Sequence, residues 1–309
     1  MTTNTEASTI APDNEAMAQF WTGERGAAWV ERHDAYDAQL GRYTEALVAE
    51  LAPSGNEAVL DVGCGTGFTT HAMAHLLGPG AAVGVDLSPT MVNAARTGLP
   101  TERISPRVAV SPRVAVSPRF EVADAQVANL RQLNDGAAFD VVCSRFGVMF
   151  FADPVTAFAN LLAAAAPGAR MCFACWAALE DNPRFTSPQE ALVPLLGPVT
   201  DPPQPPTPDA PGPFSLAAPN RVEALLGEAG WDDAATQTLT SELYIGGPGT
   251  VDEVVAFLLT GSVLRSVLSR HPHLAAPAHD ALTEALAPRH DGHGVRFGAT
   301  VHLVTARAR

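Results

Sequence analysis

The chain predicts an α/β fold, a mostly parallel sheet with helices on both faces. Three observations carry that expectation. Val59-Leu60-Asp61-Val62 is an apolar run that passes directly into Gly63-Cys64-Gly65-Thr66-Gly67, the pattern of a doubly covered strand turning through glycines into a helix. A second run, Ala81-Ala82-Val83-Gly84-Val85, ends in Asp86, about twenty residues past the glycine loop, where a ribose-binding carboxylate belongs. Strand-like and helix-like stretches then alternate up to residue 177, as successive βαβ units do.

Taken in order, residues 1–13 read as a polar, disordered tail, and the start from Met1 to Glu15 lacks the apolar core of a signal peptide. Residues 14–52 read as two amphipathic helices forming a lid, with Phe20, Trp21, Trp29 and Tyr36 concentrated in a chain that is only 6% aromatic. Residues 53–177 form the core unit. Within it a helix from Thr66 to Leu77 follows the glycine loop, Phe120 to Ala123 is a strand leading to Asp124, and Phe139 to Ser144 is another. A helix over Asp153 to Ala166, a turn at Pro167-Gly168 and a strand over Ala169 to Trp176 complete it. Ser-Pro-Arg-Val-Ala-Val occurs twice in tandem from Ser105, with a third Ser-Pro-Arg before Phe120, and reads as a duplicated spacer where connections are usually short.

Residues 178–218 are a Pro-rich insertion. Between Pro194 and Pro213 nine of twenty residues are proline, which argues for an extended loop rather than helix or central strand. Residues 219–309 return to the core, with a helix over Asn220 to Ala229, a strand over Ala234 to Tyr244 and a closing strand over Val295 to Ala306. Helices at Val251 to Arg270 and Ala276 to Leu286 make an acceptor-side insertion spanning residues 246–294.

The chemistry sits at the strand ends. Glycines at 63, 65 and 67 let backbone approach a ligand closely. Asp61 at the end of its strand repels a pyrophosphate and suits a cationic amino-acid head group. The G-x-G-x-G spacing is one residue short of the dinucleotide fingerprint.

The series V-L-D-V-G-C-G-T-G, G-V-D-L-S-P-T-M-V, V-A-D-A-Q, F-D-V-V-C-S-R-F-G-V-M-F-F and P-G-A-R-M-C-F-A-C-W resembles the successive signatures of class I S-adenosylmethionine-dependent methyltransferases. The branch it resembles holds quinone-biosynthesis C-methyltransferases and small-molecule methyltransferases of natural-product pathways. The resemblance implies a Rossmann-like, mostly parallel seven-stranded sheet with S-adenosylmethionine as cofactor and no metal. It further implies that Asp61, Gly63, Cys64 and Gly65 hold the methionine moiety, with Gly67 easing the turn into the helix, and that Asp86 takes the ribose hydroxyls. Leu87 and Met91 would pack on adenine, while Asp124 and the Ala125 backbone would read its edge. Ser144 would offer its carbonyl to the ammonium, Arg145 and Phe146 would border the methyl channel, and Trp21 would come over the cofactor from the lid.

Composition narrows the alternatives. Net charge is −14 and all nineteen basic residues are arginine, which disfavours a nucleic-acid acceptor and excludes Schiff-base lysine chemistry and a P-loop. No apolar run reaches membrane-spanning length, so a cytoplasmic protein acting on a small molecule is expected, with no membrane partner and a homodimer left open. Cys172 and Cys175 lie three apart in a strand and so face opposite ways, unlike a redox pair or zinc knuckle. Cys64 and Cys143 read as small buried hydrophobes, and His71 and His75 as ordinary helix residues lacking further ligands.

Candidate bases are His33, Tyr36 and the C-terminal histidines at 271, 273, 290 and 293. Three readings stay open at this point: a small-molecule methyltransferase, a cofactor-binding protein without transfer chemistry, and a nicotinamide-dependent oxidoreductase. Glycine spacing and the acid at position 61 weigh against the last.

Overall fold

The computed structural model describes residues 10–98, 116–196, 210–260 and 262–309. The expected tail up to residue 9, most of the Ser-Pro-Arg repeat and the centre of the Pro-rich stretch lie outside them. Seven strands form one sheet: β1 (Ala58–Val62), β2 (Ala81–Asp86), β3 (Arg119–Val122), β4 (Phe139–Arg145), β5 (Ala165–Trp176), β6 (Asp232–Tyr244) and β7 (Arg296–Arg307). Their order is β3-β2-β1-β4-β5-β7-β6. The first five strands are parallel, and β7 runs antiparallel to both β5 and β6.

The helices are α1 (Glu15–Thr22), α2 (Glu24–Glu31), α3 (His33–Leu51), α4 (Phe68–Ala74), α5 (Pro89–Arg96), α6 (Pro154–Ala164), α7 (Ser187–Leu196), α8 (Pro219–Glu228), α9 (Val251–Leu259), α10 (Ser262–Arg270) and α11 (Ala275–Leu286). Two sequence-based N-terminal helices are thus three, broken at Gly23 and Arg32, and the expected Val251 to Arg270 helix is two.

The sheet's apolar runs are read twice, once on each face. Leu60, Val62, Val83, Val85, Val142 and Phe173 join one core with Phe158 and Trp231, while Val59, Ala82, Val141, Cys143 and Cys172 join another with Leu47 and Met73. Alternate residues along a strand point to opposite faces, so both faces need cover. The same alternation separates Cys172 from Cys175, which belong to different cores, and all four cysteines are free. Phe158 is completely buried, so its truncation to alanine should cost about 3–5 kcal/mol.

Helix starts follow local signals. Ser88 caps α5 by accepting from Met91 N, with Pro89 in the first turn, and Asp153 caps α6 by accepting from Thr156 N ahead of Pro154.

Two sequence expectations require correction. The turn at Pro167-Gly168 is a bulge within β5: the pairing passes from Phe139↔Ala165 to Val141↔Arg170, and Gly168 takes φ +75°. Pro194 lies inside α7 rather than in an extended loop, where its missing N–H leaves the Glu190 carbonyl without the usual intrahelical donor. Among the described residues no helix is long and apolar enough to cross a membrane.

Candidate active site

The carboxyl ends of β1, β2 and β4 meet beneath the N-terminal helices around a cavity of about 700 Å³. This is the edge where parallel strands of opposite winding leave a crevice. Gly63 and Gly65 take φ +67° and +56°, left-handed values that favour glycine. A Cβ on Gly63 would stand 2.7 Å from Gly147 Cα, so the first loop residue is pressed against the β4 loop. A Cβ on Gly65 would meet only Met91 Sδ and Trp29 Nε1, at 3.8 and 3.9 Å; its open side is cavity.

Gly63 and Cys64 donate their N–H groups to Val85 O, and Gly65 N donates to Asp86 Oδ2 at 2.9 Å. Asp86 Oδ1 accepts from Ser88 N at 2.8 Å. One carboxylate therefore fixes both the glycine loop and the start of α5, and burial raises its pKa. Gly67 does not border the cavity; a Cβ there would strike the Phe120 ring at 2.8 Å, so its role is packing.

Asp61 is the most unusual group in the site. It is buried at the end of β1, where Oδ2 accepts from Thr70 Oγ1 at 2.6 Å and the Cys143 thiol also interacts with the carboxylate, while Oδ1 has no nitrogen or oxygen donor among the described residues. Burial pushes its pKa up to about 6, opposed by the Thr70 hydrogen bond and by the Arg145 charge. A buried acceptor without a donor is costly, and this one borders the cavity.

Leu87, Met91 and Ala125 line the same end. Asp124 does too, but its carboxylate has other partners: Oδ2 accepts from Ala11 N and Oδ1 from Asn14 Nδ2, both at 2.9 Å, with Gln126 N also on Oδ1. Here it latches the N-terminal segment, and the disordered tail read up to residue 13 is corrected at Ala11, which is buried. Ser144 is likewise a support rather than a wall. Its Oγ donates to Val62 O at 2.7 Å and accepts from Gly147 and Val148 N, tying the β1 and β4 loops together, and it does not border the cavity.

The other half of the cavity is aromatic. Phe146, with φ +62°, stacks on Trp176 at 4.5 Å and meets Tyr43 edge-on. A bulky residue in the left-handed region is strained backbone held by its surroundings. Trp29 and Tyr36 stack at 3.8 Å, and Trp21 packs edge-on against Trp29 and Phe150. Ser88 Oγ donates to Trp21 O at 2.9 Å, fastening α1 to α5. Arg145 pairs with Asp37 at 2.7 Å, both about nine-tenths buried, and lies over Phe68. Arg32 donates to the Phe257 and Thr260 carbonyls, joining α2 to α9.

Of the candidate bases, Tyr36 borders the cavity and His33 does not; the His33 ring contacts Val30 O and Asp34 instead. Histidines 271, 273, 290 and 293 are absent from the cavity wall. Asn14, Arg32, Trp176, Arg184, Phe185 and Leu192 line it without having been singled out from the sequence. Only Trp176, closing an apolar strand, carried a signal that could have marked it.

A family model described as a methyltransferase domain matches residues 60–173. The biotin biosynthesis bifunctional protein BioCD of Bordetella avium (strain 197N) is 29% identical over 147 residues, which is 48% of this chain and 26% of that protein. The match thus spans about a quarter of that relative's length. The YcgJ protein from Bacillus subtilis superposes with a TM-score of 0.51 at 15% identity, covering 87% of this chain and 99% of that one, a likeness of fold. The matched stretch runs from within β1 into β5 and contains Asp61, the glycine loop and Asp86 of the cavity wall; residues 60–173 are a methyltransferase domain.

Proposed function

We propose that this chain transfers the methyl group of S-adenosylmethionine to a small-molecule acceptor, in secondary or quinone-like metabolism. The observation that carries the reading is a single cavity whose walls run from the glycine loop and Asp61 and Asp86 to the aromatic surface of Tyr36, Phe146 and Trp176. Asp61 is suited to the cofactor's ammonium, because its Oδ1 has no nitrogen or oxygen donor among the described residues and the residue lines the cavity. Backbone at Gly63, Cys64 and Gly65 closes around the methionine portion, Asp86 takes the ribose, and Leu87, Met91 and Ala125 enclose the adenine. When bound, S-adenosylmethionine supplies a sulfonium methyl open to in-line attack by an acceptor nucleophile.

The chain's own residues then have three tasks: to align, to exclude water and, for oxygen or nitrogen acceptors, to receive a proton. Phe146, Trp176 and Tyr36 align a flat acceptor. Trp21 and Trp29 on the N-terminal helices shut out solvent. Tyr36 is the proton acceptor among the two bases read near the N-terminus, since His33 lies off the cavity.

Incubation with methyl-labelled S-adenosylmethionine and a panel of aromatic acids, phenols and amines, followed by mass spectrometry, tests the proposal. Labelled methyl on an acceptor, with an equal amount of S-adenosylhomocysteine, is the expected result. Tight cofactor binding with no transfer to any acceptor would instead favour a binding protein without transfer chemistry.

A further inference from the structure

The aromatic half of the cavity contains a cation with no counter-charge among the described residues. Arg184 sits on a 3-10 turn, Pro183–Phe185, just beyond β5. Asn182 holds that turn in place. Its side chain is fully buried, donating to Ala178 O at 2.9 Å and Thr300 O at 3.0 Å and accepting from Thr300 N at 3.0 Å. The guanidinium is thereby carried against two rings that meet edge-on, 4.8 Å from the centre of Trp176 and 4.3 Å from that of Phe185.

Ring faces are its only partners among the described residues. Its Nε is buried without a hydrogen bond, and its nearest electrostatic neighbours are the hydroxyls of Tyr36 and Tyr43, not a carboxylate. Burial lowers its pKa to about 10, which leaves it charged at neutral pH. Other partly buried arginines are treated differently: Arg145 has Asp37, Arg170 has Glu57, and Arg32 has two carbonyls. In a chain of net charge −14, a partly buried cation whose Nε is fully buried and which has no carboxylate partner among the described residues is poorly explained by stability, because burying charge is costly unless compensated.

Arg184 is also separated from the cofactor end. The arginine that acts on Asp61 is Arg145, whereas Arg184 interacts with Trp176 and Phe185 on the β5 side. The same cavity wall carries Phe146, stacked on Trp176, together with Tyr36, Phe257 and Leu192, an apolar surface suited to a flat ring. A guanidinium fork matches the two oxygens of a carboxylate, and the neighbouring rings attract its charge without using its N–H donors.

We propose that the acceptor is a planar aromatic carboxylate whose acid group pairs with Arg184 while its ring lies against Phe146 and Trp176. This rests on the methyl-transfer reading for its place opposite the cofactor. The side chain acts as a positioning and specificity residue: it neutralises the acid and fixes which ring atom faces the methyl group.

The test compares 1-naphthoate with its neutral amide, 1-naphthamide, by quenching of the tryptophans that line the cavity, both without and with saturating S-adenosylhomocysteine. Wild-type protein should bind the acid about tenfold or more tightly than the amide, as expected for a charge-assisted pair. Arg184→Met keeps the bulk against Trp176 and Phe185 and should equalise the two probes while leaving amide affinity unchanged. Arg184→Gln gives a second variant with a polar end. S-adenosylhomocysteine affinity, measured separately by calorimetry, should be the same in wild type and both variants.

Equal affinity of the two probes for wild type, failure of both to bind, or a preference that survives Arg184→Met would overturn the proposal. Loss of S-adenosylhomocysteine binding in Arg184→Met would overturn it as well, by assigning the arginine to the cofactor's carboxylate. Failure of wild-type protein to bind S-adenosylhomocysteine would defeat the methyl-transfer reading alone, since probe preference is also read without the cofactor product.

Discussion

Lowering the pH should release the cofactor through Asp61. Its pKa is raised by burial from an ordinary 3.8 to about 6 in the free protein, and only the ionised form attracts an ammonium. At pH 7.5 nearly all of it is ionised; at pH 5 about one part in eleven is, so S-adenosylhomocysteine affinity should fall about tenfold, or about 1.4 kcal/mol. An aspartate at 3.8 would lose only about 1.1-fold over the same interval. The assay is titration calorimetry at pH 5, 6 and 7.5, repeated near pH 6 in buffers of different ionisation enthalpy, where binding should expel a proton from Asp61.

Stability runs the opposite way. The folded pKa exceeds the unfolded one, so the unfolded chain gives up the Asp61 proton first and the free protein loses stability as pH rises from about 4 to about 6. The difference between 3.8 and about 6 corresponds to about 3 kcal/mol. Asp61→Asn should therefore melt higher than wild type at pH 7 when free, bind S-adenosylhomocysteine weakly, and show no pH dependence from this position. Wild-type affinity that stays flat from pH 7.5 to pH 5 would refute the link between the orphaned Oδ1 and the ammonium.

Asp86→Ala should weaken S-adenosylhomocysteine by about ten- to a hundredfold in calorimetry, with a small loss of melting temperature because Gly65 N and Ser88 N lose their acceptor. Gly65→Val should abolish cofactor binding, since a side chain there extends into the cavity from a left-handed backbone; normal binding by a folded variant would remove the loop from the site. Removing residues 1–31 should reduce turnover far more than thermal stability, as expected of a lid, because α3, with the core residues Leu40 and Leu47, is kept. Unfolding after that deletion would make Trp21 and Trp29 core residues instead.

The sheet was legible because its signals are local. β1, β2 and β4 announce themselves as apolar runs ended by Asp61, Asp86 and Ser144-Arg145, and the glycines that follow β1 adopt the backbone their spacing implied. What the sequence hides is partnership across distance. Nothing near Asp124 says that Ala11 and Asn14, more than a hundred positions earlier, occupy its oxygens. Ser144 has the right strand end but turns its hydroxyl under the loops. Arg184 looks like any arginine until β5, the Asn182 turn and α7 place it against the aromatic wall. Local rules also yield to tertiary context: Pro194 sits inside α7, and Gly168 marks a bulge within β5.

Calorimetric titration of S-adenosylhomocysteine and of NAD into the wild-type chain at pH 7.5, with Asp61→Asn and Asp86→Ala beside it, probes the site's identity most directly. Single-site binding of S-adenosylhomocysteine, weakened in both variants, with no heat from NAD, is the expected result. Binding of NAD, or S-adenosylhomocysteine binding indifferent to both aspartates, would contradict the assignment of Asp61 to the ammonium and Asp86 to the ribose.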